Sequence, residues 1–154
     1  MKKLVFFLFV VFATIPVRGQ FALKGGVTYS EKELSNYLAT AQFYQDLLVV
    51  SGDLFIPTQK NEKISGGGRI GLGLGGYRFR VVADVGAFYG DKNWKFGCGA
   101  EANLRLCGPI GIFGRWSRMF PIDKKCDRKE ILWERGCTEF SVGVTIDLIN
   151  GRCY

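Results

Sequence analysis

Gly66-x-Gly68-x-x-Gly71 has the spacing of the glycine turn that lets a backbone approach a pyrophosphate. That chemistry needs a strand before the turn and a helix after it, within a βαβ unit. The residues that follow here alternate as a further strand, so these glycines read as points where a sheet curves sharply. Asp84 and Glu101 are the carboxylates that invite a hydrolase reading. Arg and Lys positions beside them make structural ion pairs the stronger one. The chain contains no histidine. Ser-His-Asp and Cys-His catalysis, and His-ligated zinc or haem, are therefore excluded. No nucleophile motif replaces them, and the expectation is a protein that is not an enzyme and carries no cofactor. Five cysteines without a Cys-x2-Cys pair argue for disulfides rather than zinc.

The elements that must position these residues are bounded first by composition. The chain has 154 residues, 47% apolar, 14% aromatic and 23% charged, with 21 glycines and 4 prolines. It is long enough for one domain. The aromatic content excludes a disordered tail, and the glycines keep no three-residue period, which excludes collagen. Much Gly, Phe and Tyr with little Pro favours β-structure. Met1-Lys2-Lys3 and the apolar run Leu4 to Ala13 read as a signal peptide, since about 20 apolar residues are needed to span a bilayer as a helix. Cleavage is expected before Gln20, giving a leader over 1–19 and a single domain over 20–154. The mature chain then carries a net charge of +4 without a basic cluster, too little to imply nucleic acid.

Period-2 alternation runs through the mature chain. It is strict in four segments, of which 77–89 (Tyr77, Phe79, Val81, Ala83, Val85 against Arg78, Arg80, Val82, Asp84) is the clearest. Segments starting at Phe21, at Trp94 and at Glu139 behave in the same way. Residues 47–56, 64–75 and 110–118 are plausible further strands. Residues 36–45 alternate too, although Leu34, Leu38, Ala41 and Leu47 also fit a helical stripe. Eight strands result, joined by connections that are long and short by turns. That is the pattern of a membrane barrel, with short periplasmic turns and longer external loops at 31–35, 58–63, 91–93 and 121–136.

The polar faces carry Lys24, Asp53, Arg69, Arg78, Arg80, Asp84, Lys95, Glu101, Arg105, Arg115, Glu139 and Asp147. A membrane barrel turns such faces inward, where side chains fill an eight-stranded interior. Arg69, Arg78, Arg80, Asp84, Glu101, Arg105, Arg115, Glu139 and Asp147 are therefore the expected interior ion-pair network. The opposite faces are apolar, with aromatics toward their ends: Phe21, Tyr29, Tyr77, Tyr89, Trp94, Trp116 and Phe140. Girdles of this kind mark both membrane interfaces. The alternative is a soluble secreted barrel that turns its charged face to water and binds a small apolar ligand inside.

With its signal ending in Gly19-Gln20, the opening Phe21-Ala22-Leu23-Lys24-Gly25-Gly26-Val27, the glycine-rich hairpin strands and the closing Phe140-Ser141-Val142-Gly143-Val144, the chain resembles the small outer-membrane β-barrel proteins of Gram-negative bacteria. The resemblance covers the whole mature chain. It implies an eight-stranded antiparallel up-and-down transmembrane β-barrel of the cell envelope. Such a protein meets outer-membrane lipid and acts as a structural or interaction protein through its external loops. A part in an envelope, secretion or conjugation apparatus is one form of that role. Ile131, Leu132 and Trp133 in the longest loop are the candidate contacts for an envelope partner, or they fold over the barrel mouth. Cys126 and Cys137 bracket that loop and are expected to pair. Cys107 and Cys153 fall on the turn side and are the candidate second pair, which leaves Cys98, facing lipid, as the free thiol.

Overall fold

The computed structural model describes residues 19–30, 33–59, 63–76, 78–90, 93–121 and 136–149. The expected leader lies outside these residues except for Gly19. Tyr77, Cys126, Ile131, Leu132, Trp133 and Cys153 also lie outside them. Eight strands follow one another: β1 (Gln20–Ser30), β2 (Glu33–Gln45), β3 (Leu48–Pro57), β4 (Ser65–Gly75), β5 (Phe79–Gly90), β6 (Asn93–Cys107), β7 (Ile110–Pro121) and β8 (Cys137–Ile149). Each pairs antiparallel with its neighbours in chain order, and β8 returns to β1, so the sheet is a closed barrel.

The ambiguous segment is a strand. Leu38, Thr40, Gln42 and Tyr44 of β2 point inward and are buried, while Tyr37 faces out. Leu34 departs from this alternation because the register between β1 and β2 shifts: Thr28 pairs with Asn36 but Tyr29 with Leu34, leaving Ser35 as a bulge. The bulge lets β2 begin at Glu33, so the first loop is shorter than alternation alone implies. β7 likewise extends to Pro121 and β8 starts back at Cys137, whereas β5 begins only at Phe79. The short turns on the opposite side carry the backbone's left-handed residues: Asp46 (φ 52°), Gly75 (φ 125°) and Gly108 (φ 53°).

The stagger of the ladder fixes the barrel's dimensions. Successive Cα partners lead from Gln20 through Tyr44, Val49, Gly71, Asp84, Gly99, Ser117 and Glu139 back to β1 at Ser30, ten residues further along the strand. At about 3.3 Å per residue and about 4.8 Å between strands, that climb tilts the strands by about 40°. The 11 residues of β1 then rise by about 28 Å, close to the hydrocarbon band of about 25 Å that such barrels span.

Polarity is inverted relative to a water-soluble barrel. Leu23, Ile70, Leu72, Leu74, Phe79, Val85, Ile112, Val142, Val144 and Ile146 are exposed on the outside, while Lys24, Asp53, Arg69, Glu101 and Arg115 are buried within. This is the architecture of a transmembrane β-barrel. Outward aromatics lie toward both ends, with tyrosine and tryptophan at one end alone among the described residues. Tyr29, Tyr89, Trp94 and Phe140 sit at the loop end, with the Tyr89 and Trp94 rings 5.2 Å apart. At the turn end Phe21, Phe43 and Phe79 share the outer rim with the aliphatic Leu47, Leu48, Leu74, Leu106 and Ile110.

Closure between β1 and β8 depends on Gly26 and Gly143, which are Cα partners. A Cβ on Gly143 would lie 2.2 Å from the Gly25 carbonyl oxygen and 2.5 Å from the Gly26 Cα. Gly143→Ala is therefore expected to destabilise the barrel by about 1–3 kcal/mol through overpacking at the seam. Gly114→Ala, whose Cβ would meet no heavy atom within 4 Å, should stay within about 0.5 kcal/mol of the parent. Urea unfolding in detergent micelles, read by tryptophan fluorescence, checks both.

Candidate functional site

Alternation delivers one charged residue to the middle of each of six strands, and the barrel's narrow bore brings them together. Asp53 of β3 is the hub. Its Oδ2 accepts from Arg69 Nε at 2.6 Å and from Arg115 Nη1 at 2.9 Å, and its Oδ1 accepts from the Thr40 hydroxyl at 2.7 Å. Glu101 of β6 is the second centre. Arg115 Nε donates to its Oε2 at 2.8 Å, while Lys24 Nζ and the Asn103 amide both donate to its Oε1, the latter at 2.8 Å. Lys24 also donates to Asn103 Oδ1 at 2.6 Å. Arg69 reaches on to Asp84 Oδ1 at 2.9 Å. Three cations and three carboxylates thus cancel in one connected network.

Aromatic faces and glycines shape its walls. Lys24 Nζ stands 5.2 Å from the Phe113 ring centre and 5.7 Å from that of Tyr44, and the Arg69 guanidinium lies 4.7 Å over Phe88. Arg69 also runs across two glycines. A Cβ on Gly86 would lie 2.7 Å from its Cγ, and one on Gly99 would lie 3.3 Å from its Nη1. The inward glycines of β5 and β6 are therefore the space that a long side chain occupies.

Apolar layers separate the network from both ends. Leu38, Phe55, Phe88 and Met119 lie on the loop side, joined in one cluster by Phe113 at the level of Lys24, and Ala22, Tyr44, Val49 and Val82 lie on the turn side. Above the first layer a vestibule of about 340 Å³ opens at the loop end of the barrel, with Lys63, Lys95, Glu139, Asn36 and Cys137 in its wall. There the Cys137 Sγ and the Ser30 hydroxyl lie 2.9 Å apart. Below the second layer a small cleft opens at the turn end, lined by Gln20, Arg78, Arg80, Arg105 and Asp147 among others.

The nine residues expected to form one network divide into three groups. Arg69, Asp84, Glu101 and Arg115 belong to the central cluster, together with Lys24 and Asp53. Arg105 and Asp147 form a separate pair at the turn-end mouth. Arg78, Arg80 and Glu139 lie outside both. Arg78 is exposed in the turn before β5, because that strand begins one residue after it. Arg80 stacks 4.4 Å over the Tyr44 ring and donates to Gln20 Oε1 at 3.3 Å. Glu139 stands in the vestibule wall and forms no ion pair among the described residues. Thr40, Asn103, Gln42 and Tyr44 were missed by a search for charges. Their inward phase, shared with Lys24 and Glu101, is the signal that marks them. Among the described residues Cys98, Cys107 and Cys137 form no disulfide, and the expected partners Cys126 and Cys153 lie outside those residues. Among the described residues no group of three His, Cys, Asp or Glu gathers for a metal ion.

No protein family matches the chain, and no curated protein matches it in sequence. Among solved structures, the crystal structure of Neisserial surface protein A (NspA) is similar, at a TM-score of 0.44 and 10% identity, over 84% of this chain and 96% of that one.

Removing one member of the network strands its partners in a dry interior. Glu101→Leu leaves Lys24 facing only Asn103 and takes one carboxylate from Arg115, so a loss of about 3–5 kcal/mol is expected. Lys24→Met in the same chain restores charge balance and should recover part of that loss. Urea titration of the two variants against the parent tests the coupling.

Proposed function

We propose that this protein is a small barrel of the outer membrane that acts as a structural or interaction protein through its external loops, and that it is not an enzyme. The observation that carries the reading is the inverted polarity. Leu72 and Leu74 are 63% and 67% exposed on the outside, whereas Glu101 and Arg115 are 1% and 2% exposed within. Water would not support that distribution, since exposed apolar patches beyond a few hundred Å² mark contact with another apolar phase. A barrel also satisfies every ladder group without a helix, as hydrocarbon requires.

The competing soluble barrel needs an apolar pocket for its ligand. Here the middle of the bore is filled by ion pairs, so small apolar ligands have no place at the centre. A filled bore also argues against general diffusion and leaves the loops as the working surface. The two long connections, 58–64 and 122–136, and the vestibule belong to one end of the barrel, and the turns of two or three residues to the other. By the usual topology of such barrels the loop end faces outside and the turns face the periplasm. The longest loop, 121–136, carries Ile131, Leu132 and Trp133 and is the first place to look for an envelope partner.

Labelling of intact cells tests the orientation. Reporter cysteines at 58–63 or epitopes within 121–136 should be accessible from outside, and labels at Gly76 or Gly108 should need permeabilised cells. Access at the turns alone would invert the topology. Val144→Arg places a charge on the outer face near mid-strand and should cost about 2–4 kcal/mol in lipid vesicles. A harmless Val144→Arg in a protein that fractionates without detergent would sink the membrane reading.

A further inference from the structure

We infer that the turn-end mouth of the barrel is a binding site for a small oxyanion group, the carboxylate or phosphoryl end of a larger molecule. Three guanidinium groups, those of Arg78, Arg80 and Arg105, line one cleft there with a single carboxylate, that of Asp147. Asp147 is already paired with Arg105. Arg78 and Arg80 have no carboxylate partner among the described residues, so the mouth keeps two positive charges in excess. This differs from the interior network above it, where the signs balance.

The site is built rather than incidental. Arg80 is held from two sides, its guanidinium 4.4 Å over the Tyr44 ring and its Nη1 3.3 Å from Gln20 Oε1. The turn that carries Arg78 is fixed to β6, because the Arg105 amide donates to the Arg78 carbonyl oxygen at 2.9 Å. The turn is closed by the Gly76 amide, which donates to the Phe79 carbonyl oxygen at 2.9 Å. Arg78 and Arg105 are thereby kept side by side, as a fork that grips an oxyanion requires. The cleft has a volume of about 30 Å³. That is room for about two water-sized groups, which suits the paired oxygens of a carboxylate or two oxygens of a phosphoryl group. Asn103 and Thr145 in the same wall are neutral and leave the positive field uncancelled. The inner side of the cleft is closed by Tyr44 and its apolar layer, so the ligand enters only from the turn side.

The test uses the full mature chain in detergent micelles, with the arginine Nε–Hε groups followed by NMR. Sodium phosphate and sodium acetate are added in separate titrations at constant ionic strength. The expected result is a saturable shift of the Arg78, Arg80 and Arg105 signals, with that of Arg118, on the outer wall of β7, unmoved. Saturation by acetate alone assigns the site to carboxylates, and by phosphate alone to phosphoryl groups. Arg78→Gln with Arg80→Gln should weaken binding about tenfold or more. If that double variant does not fold, the single Arg78→Gln, at an exposed position, carries the comparison. Shifts that rise linearly with salt, that appear equally at Arg118, or that persist unchanged in the variant overturn the proposal. Binding in micelles is independent of which compartment the mouth faces. A failure here therefore leaves the outer-membrane reading untouched, and the reverse also holds.

Discussion

Six ionised side chains, three of each sign, share the middle of a bore too narrow to let water solvate them, and the barrel depends on their charges cancelling. None of Lys24, Asp53, Arg69, Asp84, Glu101 and Arg115 is more than 7% exposed. A single ion buried in this way would carry a desolvation cost of several kcal/mol. Here each carboxylate meets at least one cation, and Asp53 and Glu101 each bind groups from more than one strand. The network therefore ties β1, β3, β4, β5, β6 and β7 to one another across the bore, in addition to the ladder that ties neighbours along the wall. Side-chain chemistry and sheet closure reinforce the same geometry.

The stagger of ten residues explains why the network has the shape it has. With eight strands it gives a cylinder whose opposite walls lie within reach of long side chains, so Arg115 of β7 can meet Asp53 of β3 across the interior. The same narrowness makes inward glycines necessary. An arginine lying over Gly86 and Gly99 uses the volume that two further side chains would fill. Aromatic rings then cover the flanks of the cations, which removes them from water without leaving their charge unmatched.

The two ends of the molecule are built for different surroundings. The loop end has an aromatic band outside and a polar vestibule inside. The turn end has a rim of leucine, isoleucine and phenylalanine and a mouth rich in arginine. Tyrosine and tryptophan suit an interface where one edge of a ring is wet and the other is not. The tight turns, fixed by left-handed backbone at Asp46, Gly75 and Gly108, hold the second mouth in a defined shape.

The sequence by itself determined which residues face lipid and which face the bore. A strand has a period of two, so each local run of alternation sets the facing of its own side chains wherever the partner strands lie. This is why the eight strands and the inward phase of Lys24, Asp53, Glu101 and Arg115 were all legible, whereas the expected alternation of long and short connections was not: two residues join β1 to β2 and β5 to β6, as few as in the turns. Tertiary structure alone decided which charges meet. Arg78 and Arg80 share a phase with Asp84, yet one lies in a turn and the other stacks on Tyr44, while Arg69 reaches Asp53 and Asp84 on either side. The bulge at Ser35, the true starts of β2 and β8, and the division into a central network and a mouth pair also escaped the alternation. These features depend on register and on shear around a closed sheet. Both are properties of strands far apart in the chain, set by how the last strand meets the first.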